Sequence, residues 1–229
     1  MGFSENDLET FRKNVLEPED TFHFECKMCG DCCRKRDEPI LLTGADIYRI
    51  ARALDITMKD VIRDNTNGYI GDTSHLPLVV LKERMDGSCR LLRKGRCMVH
   101  QSKPVVCALY PLGRFYNYED GKFYYFVNHI TCQPNRQDGK SWTLKEWLDK
   151  FQIRETENMT QVWNRLVGGL TKVTHKMDKD KINGRLLEVL LRAMYFDYDT
   201  SKPYIEQVEQ HMIALSDVFK HEFHKVIRF

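Results

Sequence analysis

Cys26-Lys-Met-Cys29-Gly-Asp-Cys32-Cys33 places four cysteines within eight residues and is the most informative stretch of this sequence. The two residues inside a Cys-x-x-Cys step form a tight turn that can point both sulfurs at one centre. Gly30 lets the backbone adopt positive φ beside that centre. The remaining cysteines follow at looser spacing, and the last of them is at position 132: Cys89, Cys97, Cys107 and Cys132. The clustering of all eight thiols in one stretch indicates one site or two adjoining ones.

Composition limits the compartment and the class of partner. The chain has 229 residues, of which 42% are hydrophobic and 30% are charged, as in ordinary globular proteins. The net charge of +2 is too small to predict a nucleic-acid or anionic-membrane partner. No apolar run approaches the ~20 residues of a membrane helix, and the first residues lack the basic and apolar regions of a signal peptide. We therefore expect a cytoplasmic protein, with no membrane or nucleic-acid partner and with a protein partner left open.

A cytoplasmic location changes the meaning of the eight cysteines. Thiols in a reducing compartment persist as thiols unless they bind a metal or take part in catalysis. Disulfides are therefore not expected, and eight cysteines are many for buried packing alone. The sequence favours metal ligation, with redox thiols and inert packing as the alternatives.

The spacing favours iron–sulfur chemistry over zinc. Neighbouring side chains in extended backbone point to opposite faces, so Cys32 and Cys33 could serve two irons of a cluster or two adjacent sites. One tetrahedral zinc takes four ligands and would leave four cysteines unexplained. The Cys-x-x-Cys-x-x-Cys run is like that of bacterial ferredoxins. We expect one or two [4Fe-4S] clusters, with zinc as the alternative.

Histidines and basic residues surround the cysteines. His23, His100 and His129 each lie three residues from a cysteine, which keeps a mixed Cys/His zinc site open, although eight cysteines make each histidine the less favoured ligand. Seven Lys or Arg residues lie between Lys82 and Lys103 against two acidic ones. Cations would stabilise a negatively charged thiolate site, but the same bias also suits a solvated hairpin surface.

Local signals predict a mixed fold. The pattern Thr-x-x-Asp or Thr-x-x-Glu at residues 43, 57 and 143 predicts three capped helices. Gly-containing turns at 86–87, 94–95 and 120–121 predict hairpins. Apolar residues recur at helical spacing beyond residue 140. We expect a single α+β domain over 1–229, mostly α overall. A small hairpin and helix lobe at 22–134 should carry the cysteine cluster, and a helical layer at 141–229 should pack against it.

The motif as a whole resembles a known family. It reads Phe24-x-Cys26-x-x-Cys29-Gly-x-Cys32-Cys33, then Cys89-x-Leu91-Leu92, then Cys97-x-x-His100-x-x-Lys103-Pro104-x-x-Cys107-x-x-Tyr110-Pro111. Over about residues 22–134 the chain resembles the YkgJ-type cysteine-cluster proteins, which are described as zinc- or iron-chelating. The resemblance implies a ligand set that comprises Cys26, Cys29, Cys32, Cys33, Cys89, Cys97 and Cys107, with Cys132 as an eighth candidate. The family often has Tyr at the position of His100, which argues against that histidine as a ligand.

Three classes of function follow from these observations. The first is a protein whose iron–sulfur centre binds or transfers electrons. The second is a zinc module that stabilises a partner-binding surface. The third is a protein lysine methyltransferase, through a distant resemblance to flagellin lysine-N-methylase. The chain lacks the Gly-rich strand-to-helix turn of a nucleotide-like cofactor site, which argues against the third class. Whether the protein is an enzyme stays open.

Overall fold

The computed structural model describes residues 15–26, 29–34, 39–117, 120–128 and 139–229. The strands are β1 Thr21–His23, β2 Leu41–Leu42, β3 Thr66–Ile70, β4 Pro77–Leu81, β5 Leu92–Arg93, β6 Arg96–Cys97, β7 Leu112–Asn117, β8 Lys122–Val127 and β9 Ser141–Thr143. The α-helices are α1 Gly44–Leu54, α2 Met58–Asn65, α3 Val105–Leu109, α4 Leu144–Lys150, α5 Ile153–Thr174, α6 Gly184–Leu191 and α7 Tyr204–Glu222. Asp31–Cys33, His100–Ser102 and Lys179–Lys181 form 3-10 turns, and Arg192–Phe196 is a π-helical turn that follows α6.

The predicted helix starts are confirmed. Thr43 accepts a hydrogen bond from the backbone N–H of Asp46, whose carboxylate accepts one from the Thr43 N–H in return, so α1 begins with a capping box. Thr143 and Glu146 make the same reciprocal pair at the start of α4. The side chain of Thr57 caps α2. Each cap satisfies backbone donors that the first turn of a helix leaves without partners.

The chain divides into two compact units, each built from two separate segments. Unit 1 comprises residues 1–32 and 105–154, and unit 2 comprises residues 33–104 and 155–229. The boundary therefore falls between the adjacent cysteines, Cys32 and Cys33. The expectation of a single domain over 1–229 stays a prediction.

Unit 1 has an aromatic core. In it β1 pairs antiparallel with β9, and β7 pairs with β8 in the predicted hairpin. The ring of Trp147 is 1% exposed and meets Phe22 and Phe24 edge to face, each with ring centroids 5.6 Å apart. Such aromatic contacts add specific geometry to the large apolar area that they bury. The core holds β1 and α3, the elements beside Cys26 and around Cys107.

Unit 2 has the larger core. Its sheet has the order β2-β4-β3 with antiparallel neighbours, and β5 and β6 form a separate hairpin. Residues of α1, α2, α5, α6 and α7 pack with β4 in one hydrophobic cluster. The helical apolar stripes predicted beyond residue 140 are core, as expected: Val162, Leu166 and Leu170 are all buried.

The architecture confirms the predicted α+β class, in which helices outweigh short strands. Across the part of the chain that the structure describes, no helix combines the length and the apolar character needed to cross a membrane.

Candidate metal centre

The predicted ligand cysteines divide between the two units. Unit 1 contains Cys26, Cys29, Cys32 and Cys107, here called the unit-1 thiols, and unit 2 contains Cys33, Cys89 and Cys97, the unit-2 thiols. Cys132 lies outside the described residues, as does His129. Cys26, Cys29 and Cys32 are exposed, and Cys107 is half-buried. Cys89 is buried, with Cys33 and Cys97 half-buried.

The chain that leads into the first cysteines is fixed by the core of unit 1. Phe24 is 3% exposed, its N–H donates to the carbonyl oxygen of Lys140 at 3.0 Å, and its carbonyl oxygen accepts from the indole N–H of Trp142 at 2.9 Å. Both backbone groups of Phe24 are therefore satisfied two residues before Cys26. Gly30 adopts φ of 77°, as predicted, where a side chain would be strained. The exposed thiols thus extend from a fixed strand end.

Cys107 lies on a short helix that a buried indole anchors. Val105, Ala108 and Leu109 of α3 are buried, which leaves Cys107 on the partly exposed side. The Nε1–H of Trp147 donates to the carbonyl oxygen of Leu109 at 3.0 Å. This bond satisfies one of the carbonyls that the end of a helix leaves without an intrahelical partner. No pattern in the sequence indicated that Trp147 fixes the helix of a candidate ligand.

The unit-2 thiols are linked by backbone hydrogen bonds although they are far apart in sequence. The N–H of Cys89 donates to the carbonyl oxygen of Cys33 at 2.8 Å, and the N–H of Leu92 donates to the carbonyl oxygen of Cys89 at 3.0 Å. Leu92 in turn pairs with Cys97 in the β5–β6 hairpin. Cys89 belongs to the hydrophobic core cluster of unit 2, and Cys33 and Cys97 pack against the same cluster. Three predicted ligands therefore share one core.

The turns predicted before Cys89 and Cys97 are both present. Lys94 and Gly95 adopt φ of 47° and 75°, which is the positive-φ pair of a two-residue hairpin turn. Glu83 forms an isolated antiparallel bridge with Cys89 across the turn at Asp86 and Gly87. The first turn places Cys89 opposite Glu83, and the second places Cys97 opposite Leu92.

Arg84 closes the loop that carries Cys89. Its guanidinium donates to the carbonyl oxygens of Cys89 at 2.7 Å and Arg90 at 2.8 Å, and to the hydroxyl of Ser88 at 3.3 Å. These hydrogen bonds fix the backbone at the carbonyl group of Cys89, whereas the hydrogen bond to Cys33 fixes it at the N–H group. Arg84 is one of the seven basic residues between Lys82 and Lys103, and only the fold shows that its role is to brace this loop.

Asp86 stabilises the same loop from the turn. Its Oδ1 accepts from the hydroxyl of Ser88 at 2.6 Å and from the Ser88 N–H at 2.9 Å. The hydroxyl bond is the main reason why the pKa of the Asp86 carboxyl lies below its ordinary value, and the amide bond adds to it. The ionised carboxylate is therefore the form that holds the turn.

His23 is the histidine whose environment fits a donor to a bound group. Its Nδ1 is buried and has no hydrogen-bond partner among the described residues. A buried polar atom without a partner is costly and calls for an explanation such as an ion. His23 lies at the end of β1, three residues before Cys26.

The donor chemistry fits a thiophilic metal, while the side chains are not gathered into a finished site. Within the described ranges, no three Cys, His, Asp or Glu residues form a group that could hold a metal ion. Soft thiolate donors select zinc and iron–sulfur clusters over hard cations such as magnesium. The thiols in and against the unit-2 core fit such a metal. Convergence of the cysteines on one site or on two adjoining ones stays a prediction.

Comparison with known proteins bears directly on this chemistry. Residues 25–133 match the family model CxxCxxCC, described as "Putative zinc- or iron-chelating domain". The family resemblance is confirmed. The CxxCxxCC match runs from the residue before Cys26 to the residue after Cys132, so it takes in every cysteine of the chain. It supports metal binding in general, by zinc or by iron. No curated protein and no solved structure matches the chain.

Proposed function

We propose that this protein holds an iron–sulfur centre on its cysteine thiolates and uses it to transfer electrons. The observation that carries the proposal is the linkage of Cys33, Cys89 and Cys97 through backbone hydrogen bonds in one core. A chain that brings three distant thiols into one unit fits a centre with sulfur ligands better than it fits unrelated packing cysteines.

The number and type of donors favour iron–sulfur over zinc. Eight cysteines exceed the four ligands of a structural zinc site, and they equal the ligands of two cubane clusters. Arg84 binds the carbonyl oxygen of Cys89, and Arg93 and Arg96 flank the turn that leads to Cys97. These cations would offset the negative charge of a thiolate-ligated cluster and favour the ionised thiols that bind it.

Exposure supports an electron-transfer role. Cys26, Cys29 and Cys32 lie at the surface of unit 1, so a centre that uses them would be reachable by a partner protein. When bound, an iron–sulfur cluster supplies one-electron redox chemistry at a potential that its charge, hydrogen bonds and solvent exposure set. The residues of this chain would supply the thiolates, the nearby positive charge and the hydrogen-bonded backbone that fixes Cys89.

A structural zinc module is the second candidate. The observation that favours it is the placement of Cys89 and Cys97 directly after tight turns, since small ribbon-like sites hold zinc with sulfurs in such positions. In that case the centre would stabilise a surface for a partner protein and would carry no electrons.

Anaerobic purification of the full chain tests the proposal. We expect brown protein that contains iron and acid-labile sulfide, with visible absorption that bleaches on reduction and returns on oxidation. A colourless protein with tightly bound zinc and no sulfide would establish the zinc module and reject the redox role. Calorimetric titration with S-adenosylmethionine, for which we expect no heat of binding, tests the methyltransferase alternative.

A further inference from the structure

A cleft in unit 2 lies beside the loop of Cys89 and has a strongly basic lining. It has a volume of about 440 Å³, and Arg84, Arg90 and Arg93 all contribute to it. Pockets of about 300–1,000 Å³ are the usual size for small-molecule sites. The metal proposal uses the charges of Arg84 and Arg93 near the cysteines, but it assigns no ligand to the cleft itself.

Two of the three arginines have side chains that make no hydrogen bond or salt bridge within the described part of the chain. The guanidinium of Arg84 is occupied by the Cys89 loop, but those of Arg90 and Arg93 make no hydrogen bond or salt bridge with any described residue. Both side chains are exposed at the cleft. The amide group of Asn65, which also lines it, likewise has no hydrogen-bond partner in the described ranges. These three side chains can donate to a ligand without breaking a contact in the protein.

The single acidic side chain in the lining of the cleft, that of Asp64, is already paired. Asp64 receives two hydrogen bonds of 2.8 Å from Arg63, one to each carboxylate oxygen. This bidentate contact is the main reason why the pKa of Asp64 lies below its ordinary value, and the positive charges of Arg90 and Lys82 contribute to the shift. Arg63 also pairs with Asp60 at 2.7 Å, so its single charge is shared between two carboxylates. Both oxygens of Asp64 are nevertheless occupied by Arg63, and neither Arg90 nor Arg93 makes a hydrogen bond or salt bridge with Asp64. The guanidinium groups of Arg90 and Arg93 can therefore donate to a ligand.

The lining of the cleft also includes apolar side chains. Leu54 and Ile56 contribute half-buried side chains from the end of α1 and the turn that follows it, and Met98 is 42% exposed. Exposed apolar side chains that face a cavity with a few convergent polar groups are typical of ligand sites. The cleft is therefore suited to a molecule with an anionic end and an apolar body.

We infer that this cleft binds a phosphate monoester with an apolar substituent. Guanidinium groups match the oxygens of phosphate in bidentate geometry. Arg84 adds to the positive charge of the cleft, because its hydrogen bonds go to neutral carbonyl and hydroxyl groups. A phosphate monoester, with a charge of about −2 at neutral pH, matches this basic lining better than a carboxylate, which carries a single negative charge. Arg90 and Arg93 hold the phosphate, Asn65 donates a further hydrogen bond, and Met98 covers the substituent.

Calorimetry with phenyl phosphate tests the site on the full chain, at known metal content. We expect phenyl phosphate to bind at least tenfold more tightly than benzoate or methyl phosphate. Arg93→Gln and Arg90→Gln should each weaken phenyl phosphate binding at least tenfold. Met98→Gln should reduce the advantage of phenyl over methyl phosphate and leave methyl phosphate binding unchanged.

Arg165→Gln is the matched control. Arg165 is an exposed arginine of unit 2 that pairs with Glu209 at 3.1 Å outside the cleft, so its loss should change affinity less than twofold. An equal loss of phenyl phosphate affinity in Arg165→Gln would show that general surface charge causes the binding, and it would contradict a specific site in the cleft. Equal affinity for benzoate would overturn the phosphate assignment. Arg90 and Arg93 are exposed, so both variants should fold, and melting curves verify this. Iron and zinc content is measured separately, so a failure of the metal proposal leaves this test intact.

Discussion

The N–H of Cys89 donates a 2.8 Å hydrogen bond to the carbonyl oxygen of Cys33, which joins the end of the first cysteine run to the second cysteine segment. The carbonyl oxygen of Cys89 is engaged as well, by the N–H of Leu92 and by Arg84. Both backbone groups of a candidate ligand are thus fixed within the fold of unit 2. Because the fold already holds this residue in place, less conformational entropy would be lost when a metal binds to it.

Arg84→Gln should destabilise the protein and lower its metal content. The shorter, neutral amide cannot replace three hydrogen bonds from the guanidinium, and hydrogen bonds to charged groups contribute about 1.5–3 kcal/mol each when buried. Since Arg84 is half-exposed, we expect a total loss of about 1–3 kcal/mol in the free energy of unfolding. Denaturant unfolding and metal analysis measure both effects. Arg165→Gln, which removes an exposed pair, should change neither; equal effects in the two variants would contradict the bracing role.

Trp147→Phe should lower the free energy of unfolding by more than the smaller volume of the phenyl ring explains. The phenyl ring retains much of the aromatic packing but leaves the buried carbonyl oxygen of Leu109 without its donor, which costs about 1–3 kcal/mol. Trp163→Phe, in the core of unit 2, is the control for the change in ring size. Chemical unfolding followed by circular dichroism compares them. A smaller loss for Trp147→Phe than for Trp163→Phe would argue against the Leu109 bond.

Cys29→Ala should abolish metal incorporation, since its short-spaced partner Cys26 would lose the second sulfur of the turn. Cys132→Ala should matter only if a second cluster exists. Iron near about four per chain with Cys132 dispensable would indicate one cubane cluster, and about eight with Cys132 essential would indicate two. Iron, zinc and acid-labile sulfide are measured per chain in both variants. Full metal content in Cys29→Ala would remove the first run from the ligand set.

Removal of the metal should markedly lower the melting temperature. Thiols from both segments of the motif must be brought together, so the free energy of metal binding contributes to folding. Thermal unfolding of protein as purified is compared with protein stripped by a chelator or exposed to oxygen. Cys29→Ala treated in the same way is the control, and its melting temperature should not respond. An unchanged melting temperature for the stripped wild-type protein would show that the cysteines are not structural ligands.

Acidification should open the turn before Cys89. Because the pKa of Asp86 is lower in the folded protein than in the unfolded chain, the folded state binds fewer protons. The contribution of the Asp86 carboxylate to the free energy of unfolding is complete above the pKa of about 3.9 that it has in the unfolded chain. This contribution is lost as the pH falls through the lower pKa of the folded protein. The amide resonance of Ser88 should titrate with a midpoint below about 3.9. In Asp86→Asn this titration should vanish, and a midpoint above the unfolded value would contradict the hydrogen bonds.

Local signals in the sequence were sufficient for individual elements. The capping pairs at Thr43 and Thr143 and the positive-φ turn at Lys94 and Gly95 depend on a few neighbouring residues, so their prediction needed no tertiary information. The mixed, mostly helical class followed from the same signals. The cysteine motif likewise carried the resemblance to zinc- or iron-chelating proteins, and a family model of that description matches residues 25–133.

Contacts between distant residues could not be predicted in this way. The bond between Cys33 and Cys89, the brace from Arg84 and the anchor from Trp147 depend on where the fold brings segments together. Patterns of apolar residues identify which face is buried but not which carbonyl an indole or guanidinium will reach. The composition of each unit from two separate segments also has no local signature, since nothing marks Cys32 and Cys33 as the point of division.

The discontinuity of unit 2 has a consequence for biosynthesis. Its core joins residues such as Leu42 and Val99 to residues near the end of the chain, including Phe219 and Ile227. A ribosome that adds about 5–20 residues per second needs roughly 10–40 s to proceed from Cys26 to Ile227. Throughout that interval Cys33, and later Cys89 and Cys97, lie on a nascent chain from which the helix α7 of the unit-2 core is still missing. If the unit-2 thiols ligate a metal, the core around them can form only after α7 has been made, and the thiols must stay reduced until then.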